Sequence, residues 1–346
     1  MSSLFRRPVR SSGTNEVKEF EEFEKMQVSP VPFQRADVTD QIYGALMGSC
    51  IGDALGVPVE FKSRIDMKSR PIKGMIGYGS WNQPPGTWSD DSSMLLCTAE
   101  SLISGYSIDD IATRFLKWYR EGYWTAHGEV FDIGNTTKIA LDNLAFAPPV
   151  KAGMRDEYSN GNGSLMRILP MSFLTYKMDF HERAQLVADV SSITHAHRRS
   201  IIACIILVEY ASNLLKGFDR ITSYHMMQED IKSNLGGEME ITYFPVVFTD
   251  IRERAEDSIS SGGYAVDTLE TALWSNLKFD TYQDIVLAAV NLGGDTDTSG
   301  AVAGGLAGLT FGYSKIPQEW AVQLARNEDI EDLAKRVCDS KILSVI

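Results

Sequence analysis

Residues 293–300 read Gly-Gly-Asp-Thr-Asp-Thr-Ser-Gly, two carboxylates and three hydroxyls between glycines, directly ahead of the small apolar run "AVAGGLAGLTFG". On a regular helix Asp295 and Asp297 would stand about 200° apart. They converge only on a loop or in a helix's first turn. Gly293 and Gly294 permit such a tight backbone, and the run that follows can begin a helix whose positive end tolerates acids. A second oxygen cluster, Ser89, Asp90 and Asp91 in "GTWSDDSSMLLC", also stands just before an apolar helix. Neither segment holds a Lys or Arg to neutralise it. Two chemistries fit these residue types. One is ordinary N-capping by Ser and Asp. The other is hard-oxygen ligation of Mg²⁺ or Mn²⁺, for which a pair of ions about 3.5–4 Å apart is a known catalytic arrangement. Spacing leaves both open, because it does not show that the two clusters meet.

The elements that would position these clusters read as helices. Apolar residues recur at helical spacing in "DQIYGALMGSCIGDAL", "SSMLLCTAESLIS", "IDDIATRFLKWYREGY", "HERAQLVADVSSIT", "RRSIIACIILVEYASNLLKG", "GGYAVDTLETALWSNL", "TYQDIVLAAVNL" and "SGAVAGGLAGLTFG", while strand signals are few. An all-α fold is expected. Residues 71–88, "PIKGMIGYGSWNQPPGTW", fit a long surface loop of the kind that carries function. Residues 1–38 differ from the rest: basic at Arg6, Arg7 and Arg10, acidic through "EVKEFEEFEK", then proline-containing. They are expected to form an N-terminal arm ahead of a single domain over residues 39–346.

Composition narrows the partners. A formal charge of −13 and a pI near 4.9 disfavour sequence-independent nucleic-acid binding, which needs clustered Lys and Arg. Cys50, Cys97, Cys204 and Cys338 are scattered without a CxxC pair, so reduced thiols in a cytoplasmic protein are expected. The opening "MSSLFRRPVR" lacks the apolar stretch of a secretory signal. The runs "IIACIILVEYASNLL" and "AVAGGLAGLTFG" are too short or too interrupted to cross a bilayer. No membrane and no nucleic-acid partner are expected.

Seven segments, in order over roughly residues 40–325, resemble the ADP-ribosylglycohydrolase family: "GALMGSCIGDALGVPVEF", "GTWSDDSSM", "FDIGNTT", "GNGSLMRILP", "SITHAHRRS", "SGGYAVDTLETALW" and "NLGGDTDTSGAVAGGLAG". Ser89 stands where the family commonly has Thr, which keeps the hydroxyl. The resemblance implies a compact all-α fold around two Mg²⁺ or Mn²⁺ ions. Ser89, Asp90 and Asp91 would supply one set of ligands, and Asp295, Asp297 and Thr298 the other. The implied reaction is hydrolysis of ADP-ribose from a modified protein side chain, arginine being the preferred acceptor, in reversal of an ADP-ribosyltransferase.

Catalytic roles would then fall to Glu60, Asp132 and Asp295, with Asp132 facing the guanidinium. Gly161, Asn162, Gly163 and Ser164 would cradle diphosphate and ribose on a turn before an apolar helix. His195 would bond a ribose or phosphate oxygen, and Tyr264 would stack on adenine. Each has a structural alternative: Glu60 as a solvated loop acid, Asp132 as a cap for a helix near Asn135, His195 as a helix cap and Tyr264 as core packing. Asp53 reads more readily as a helix cap than as a group supporting the ligands. Some relatives act as immunity proteins, so residues 1–38, with Phe5, Phe20, Phe23 and Phe33, offer an alternative function, occlusion of an ADP-ribosyltransferase toxin.

Overall fold

Glycine recurs every fourth residue from Gly44 to Gly56 and again from Gly300 to Gly308, a spacing that aligns each set along one side of a helix. In the computed structural model, which describes residues 37–343, these two stripes lie against each other. A Cβ on Gly52 would sit 1.9 Å from the Gly300 carbonyl oxygen, and one on Gly308 would sit 1.8 Å from that of Gly44. The two helices therefore run antiparallel and touch backbone to backbone. No residue larger than glycine fits at the crossing.

Fifteen α-helices carry the described residues, and no strand occurs among them. In chain order they are α1 (Val38–Gly56), α2 (Arg64–Ser69), α3 (Asp90–Leu102), α4 (Ile108–Glu121), α5 (Asn135–Asn143), α6 (Met171–Thr175), α7 (Phe180–Ser192) and α8 (Arg198–Leu215). There follow α9 (Arg220–Leu235), α10 (Pro245–Phe248), α11 (Ala265–Lys278), α12 (Tyr282–Val290), α13 (Thr296–Phe311), α14 (Gln318–Gln323) and α15 (Asn327–Asp339). The all-α expectation holds.

The glycine-bearing pair is α1 and α13, and both are buried nearly all round. Helices α3, α12 and α15 pack on α1, while α11 and α12 pack on α13. α8 is the third enclosed helix, with α6, α7, α9 and α11 about it. Outer helices are amphipathic: α4 buries Ile111, Ala112, Phe115 and Trp118, starts on a Ser107 cap and stops at Gly122 with φ +68°. By length and composition α1 with the turn after it, Val38–Val59, could cross a membrane, but 94% of that window is buried inside this fold. It is the core's central helix.

One expectation needs amendment, and another falls outside the described residues. The turn "GNGSLMR" leads not into a long helix but into a three-residue 3-10 turn, Leu165–Arg167, and the five-residue α6. Residues 1–36, which carry nearly all of the expected arm and the toxin-occlusion reading, lie outside the described residues. Val38 itself opens α1. Residues 71–88 contain no helix, as expected of the loop before α3. The four cysteines are free thiols, three of them buried.

Candidate active site

The antiparallel glycine pairing brings the C-terminal end of α1 beside the N-terminal turn of α13. A Cβ on Gly56 would lie 2.3 Å from the Asp297 Cα, and the Thr296 hydroxyl donates to the Gly56 carbonyl at 2.8 Å. One turn before the end of α1, Asp53 reaches across to α3. Its Oδ1 accepts from the Ser89 amide (3.0 Å), and its Oδ2 accepts from the amide and hydroxyl of Ser92 (3.0 and 2.6 Å). The capping role read for Asp53 is thus played on another helix. It fixes the start of α3 against α1, and with it Asp90 and Asp91.

The two oxygen clusters meet. Thr298 Oγ1 lies 3.4 Å from Asp91 Oδ2, which also accepts from the Ser89 hydroxyl at 3.0 Å. Capping accounts for Ser89, whose hydroxyl also accepts from the Asp91 amide, but not for the carboxylates. Asp295 occupies the cap position of α13 without making a capping bond. Its Oδ2 instead accepts from Asn162 Nδ2 at 2.9 Å. The glycines behave as read: Gly293 and Gly294 both adopt φ +77°, and a Cβ on Gly294 would strike the Ser261 carbonyl at 2.3 Å. Gly294 and Asp295 donate to the carbonyls of Lys62 and Ser261, both at 2.8 Å, tying three loops together below the acids.

A cavity of about 240 Å³ opens above them, walled by Glu60, Asp90, Asp91, Asp132 and Asp295 with Asn135, Thr136, Thr137, Gly161, Asn162, Gly163, His195, Gly263 and Thr298 among the rest. Among the described residues no Lys or Arg lies in its wall. Glu60 is buried rather than a solvated loop acid. Asp132 caps nothing, since the cap position of α5 is Gly134; its carboxyl lies beside Glu60 and Asp297. Asp132 holds the left-handed φ of +58°, an uncommon conformation for a residue other than glycine.

Burial, with crowding of like charge behind it, shows in the acidities. Burial, then the neighbouring Asp132, pushes Glu60 up to about 8 against the pull of a Trp81 hydrogen bond. Burial likewise lifts Asp132 to about 6 and Asp53 to about 7. Asp90, Asp91 and Asp297 rise well above the carboxylate range, through burial first and then through each other and their acidic neighbours. Asp91 Oδ1 and Asp297 Oδ2 are enclosed with no hydrogen-bond partner among the described residues. One carboxylate oxygen from each of Glu60, Asp295 and Asp297 lies within 4.8 Å of the others. Such a donor set, all oxygen and uncompensated, fits a hard divalent cation.

The expected substrate residues divide. Gly161, Asn162 and Gly163 line the cavity, with Asn162 held by Thr268 (2.8 Å) as well as Asp295. His195 lines it too, its Nδ1 2.9 Å from Thr194 Oγ1. Burial, then Arg167, pushes its pKa down to about 3, so the ring is neutral. The helix-capping histidine is its neighbour His197, which accepts from the Arg199 amide. Ser164 turns away from the cavity to Ser191 (2.9 Å) and Cys204 (3.4 Å). Tyr264 is set back as well: Gly263 forms the wall, and the Tyr264 hydroxyl faces the Arg199 guanidinium. Sequence reasoning did not single out Asn135, Thr136 and Thr137, although "GNTT" lies within a quoted motif, nor Trp81, whose indole N–H donates to Glu60.

Comparison with known proteins agrees with this geometry. The family model described as ADP-ribosylglycohydrolase matches residues 34–344. The chain belongs to the ADP-ribosylglycohydrolase family. Its relatives include "ADP-ribosylarginine hydrolase Tri1" of Serratia proteamaculans, 33% identical over 91% of this chain and 83% of the relative. The protein of the same name from Pseudomonas putida is 32% identical over 87% of this chain and 78% of its own length. "ADP-ribosyl-[dinitrogen reductase] glycohydrolase" of Rhodospirillum rubrum is 30% identical over 83% and 91%. A solved structure titled "ADP-ribosylglycohydrolase-related protein complex" superposes with a TM-score of 0.72 at 32% identity, covering 87% of this chain and 97% of that one. The shared ADP-ribosylglycohydrolase fold thus carries the acidic cavity.

Proposed function

We propose that this glycohydrolase cleaves the bond between ADP-ribose and the guanidine nitrogen of a modified arginine, reversing an ADP-ribosyltransferase. The observation that carries the reading is the convergence of six carboxylates, Glu60, Asp90, Asp91, Asp132, Asp295 and Asp297, on one site with no basic side chain among the described residues of the cavity wall. Relatives named as ADP-ribosylarginine hydrolases support arginine as the acceptor.

In this proposal Ser89, Asp90 and Asp91, with Asp295, Asp297 and Thr298, hold two Mg²⁺ or Mn²⁺ ions. Such ions, when bound, offset the acids' mutual repulsion and supply Lewis acidity towards ribose hydroxyls and water. The chain's own groups manage the rest. Glu60 takes a proton from the attacking water as its oxygen bonds to C1 of the ribose. The C1–N bond breaks with its electron pair left on the guanidine nitrogen, which receives that proton. Asp132 pairs with the guanidinium, whose planar fork suits a carboxylate. Backbone around Gly161–Gly163 receives the diphosphate, Ser164 contributing through its main chain because its hydroxyl is committed elsewhere. Neutral His195 offers a ring nitrogen to a ribose or phosphate oxygen. Tyr264 serves adenine from behind Gly263.

Asp90→Ala tests the site. We expect release of ADP-ribose from an ADP-ribosylarginine peptide to fall by at least about 10²-fold with an unchanged circular dichroism spectrum. Normal metal-dependent release by that variant overturns the assignment.

For residues 1–38 the proposal is separate: they occlude an ADP-ribosyltransferase toxin, a reading favoured by Phe5, Phe20, Phe23 and Phe33 beside Arg6, Arg7 and Arg10. A truncation beginning at Val38 that still binds and neutralises the toxin removes the arm from that role.

A further inference from the structure

The loop of residues 71–88 plays no part in the reaction above, yet it is anchored to the catalytic side of the site. The Ser80 amide donates to the Pro58 carbonyl at 3.1 Å, and the Ser80 hydroxyl donates to the Glu60 carbonyl at 2.6 Å. Gly79, at φ +60°, passes so close that a Cβ would lie 1.9 Å from the Pro58 oxygen. Tyr78 and Gln83 bond across the turn at 2.5 Å. The result is a fixed place for Trp81, whose indole N–H meets Glu60 Oε2.

Trp81 also joins two other rings. Phe61, the residue after Glu60, lies 6.2 Å from the indole, and Phe131, the residue before Asp132, lies 5.5 Å from it. The aromatic row thus connects the two carboxylates assigned to proton transfer and guanidinium pairing. Phe61 is 71% exposed and holds φ +64°, a conformation costly for a bulky residue, with its amide bonded to the Gly294 carbonyl at 2.8 Å. An exposed aromatic ring on a strained backbone contributes little to the core. Phe61 lies outside the cavity wall and reaches the acids through Trp81, so the row borders the cavity where an acceptor would leave it.

We propose that Phe61, Trp81 and Phe131 form the acceptor subsite, a shelf on which the guanidinium and methylene stem of the modified arginine rest, and that Trp81 is in addition a positioning residue for Glu60. The inference rests on the arginine reading above. A guanidinium is planar, delocalised and weakly hydrated, so it stacks on aromatic faces while its edge meets a carboxylate. Rings flanked by Glu60 and Asp132 offer both contacts at once.

Two variants separate the shelf from a mere cover over Glu60. Phe61→Ala removes an exposed ring, so folding is not at stake. Its KM for an ADP-ribosylarginine peptide should rise about tenfold, while the calorimetric Kd for free ADP-ribose, which lacks the acceptor, stays within about twofold. Trp81→Phe keeps a ring but loses the N–H; kcat should fall about tenfold with KM little changed, and Trp81→His, which restores a donor, should recover part of it. A wild-type protein inert on the arginine peptide overturns both this inference and the function it rests on. A wild-type protein active there, with Phe61→Ala unchanged in KM or weakened equally for ADP-ribose, overturns the shelf alone. Full kcat in Trp81→Phe overturns the positioning role.

Discussion

Glu209 and Asp297 are acids buried to the same degree in one helical core, and their surroundings could hardly differ more. Glu209, on α8, faces Arg183 of α7 in a two-pronged pair at 2.9 and 3.0 Å, and that guanidinium also donates to the carbonyls of Thr175 and Met178. Burial still holds Glu209 above its usual range, with Arg183 pulling against it. Asp297 has Asp91, Glu60, Asp295 and Asp132 for neighbours and one oxygen with no hydrogen-bond partner among the described residues. In one region the chain supplies the counter-charge itself. In the other it leaves that task to something that binds.

The sharpest break of this comparison is Glu209→Ala. It strands a buried guanidinium and should cost about 3–5 kcal/mol of stability, read as a lower denaturation midpoint, while ADP-ribose release by the folded fraction persists. Asp91→Asn should do the reverse: release falls about 10²–10³-fold, equivalent to about 3–4 kcal/mol of barrier, while the metal-free protein is no less stable than wild type. A clear loss of metal-free stability there would mean that Asp91 is satisfied by the protein after all. Gly52→Ala should cost about 1–3 kcal/mol because the added methyl meets backbone, whereas Gly237→Ala, with open space around it, should stay within about 0.5 kcal/mol.

A further test is in pH. Between about pH 5 and 8 the metal-free native state keeps protons on Glu60, Asp53 and Asp132, at about 8, 7 and 6, that the unfolded chain, with carboxyl pKa values near 4, has released. Stability should therefore fall as pH rises through that window, read as a lower Tm at pH 8 than at pH 5. Saturating Mn²⁺ should flatten the slope. A flat profile without metal would show that burial does not hold these carboxyls above their ordinary range.

The helices around these sites were legible because burial is written in their spacing, and α1, α3, α4, α7, α8, α11, α12 and α13 fall where the apolar pattern puts them. Helices α9 and α15 carry buried apolar residues at the same spacing, Ile231 and Leu235 in one and Ile330, Leu333, Ala334 and Val337 in the other, and were not singled out. The left-handed turn at Gly293 and Gly294 was readable from residue type alone. Other features depend on long-range pairing that no local pattern carries. Asp53 caps a helix 36 positions onward, and Trp81 bonds Glu60 across a loop. The glycine spacing was visible in both stripes, but only coordinates show that each stripe is the other's partner. The turn after "GNGS" misled because Leu165, Met166 and Ile168 are apolar for packing rather than for helix formation.

Those interlocked stripes also limit how the site can change. Side chains at an ordinary helix crossing can rotate and let the partners creep by fractions of an ångström. Here a glycine must meet glycine backbone, so α1 and α13 can settle in a new register only by a jump of four residues, about 6 Å along the axis. The crossing works like a row of detents. Drift in sequence elsewhere can soften or stiffen the molecule, but the separation between Asp53 at the end of one helix and Asp297 at the start of the other has no fine adjustment.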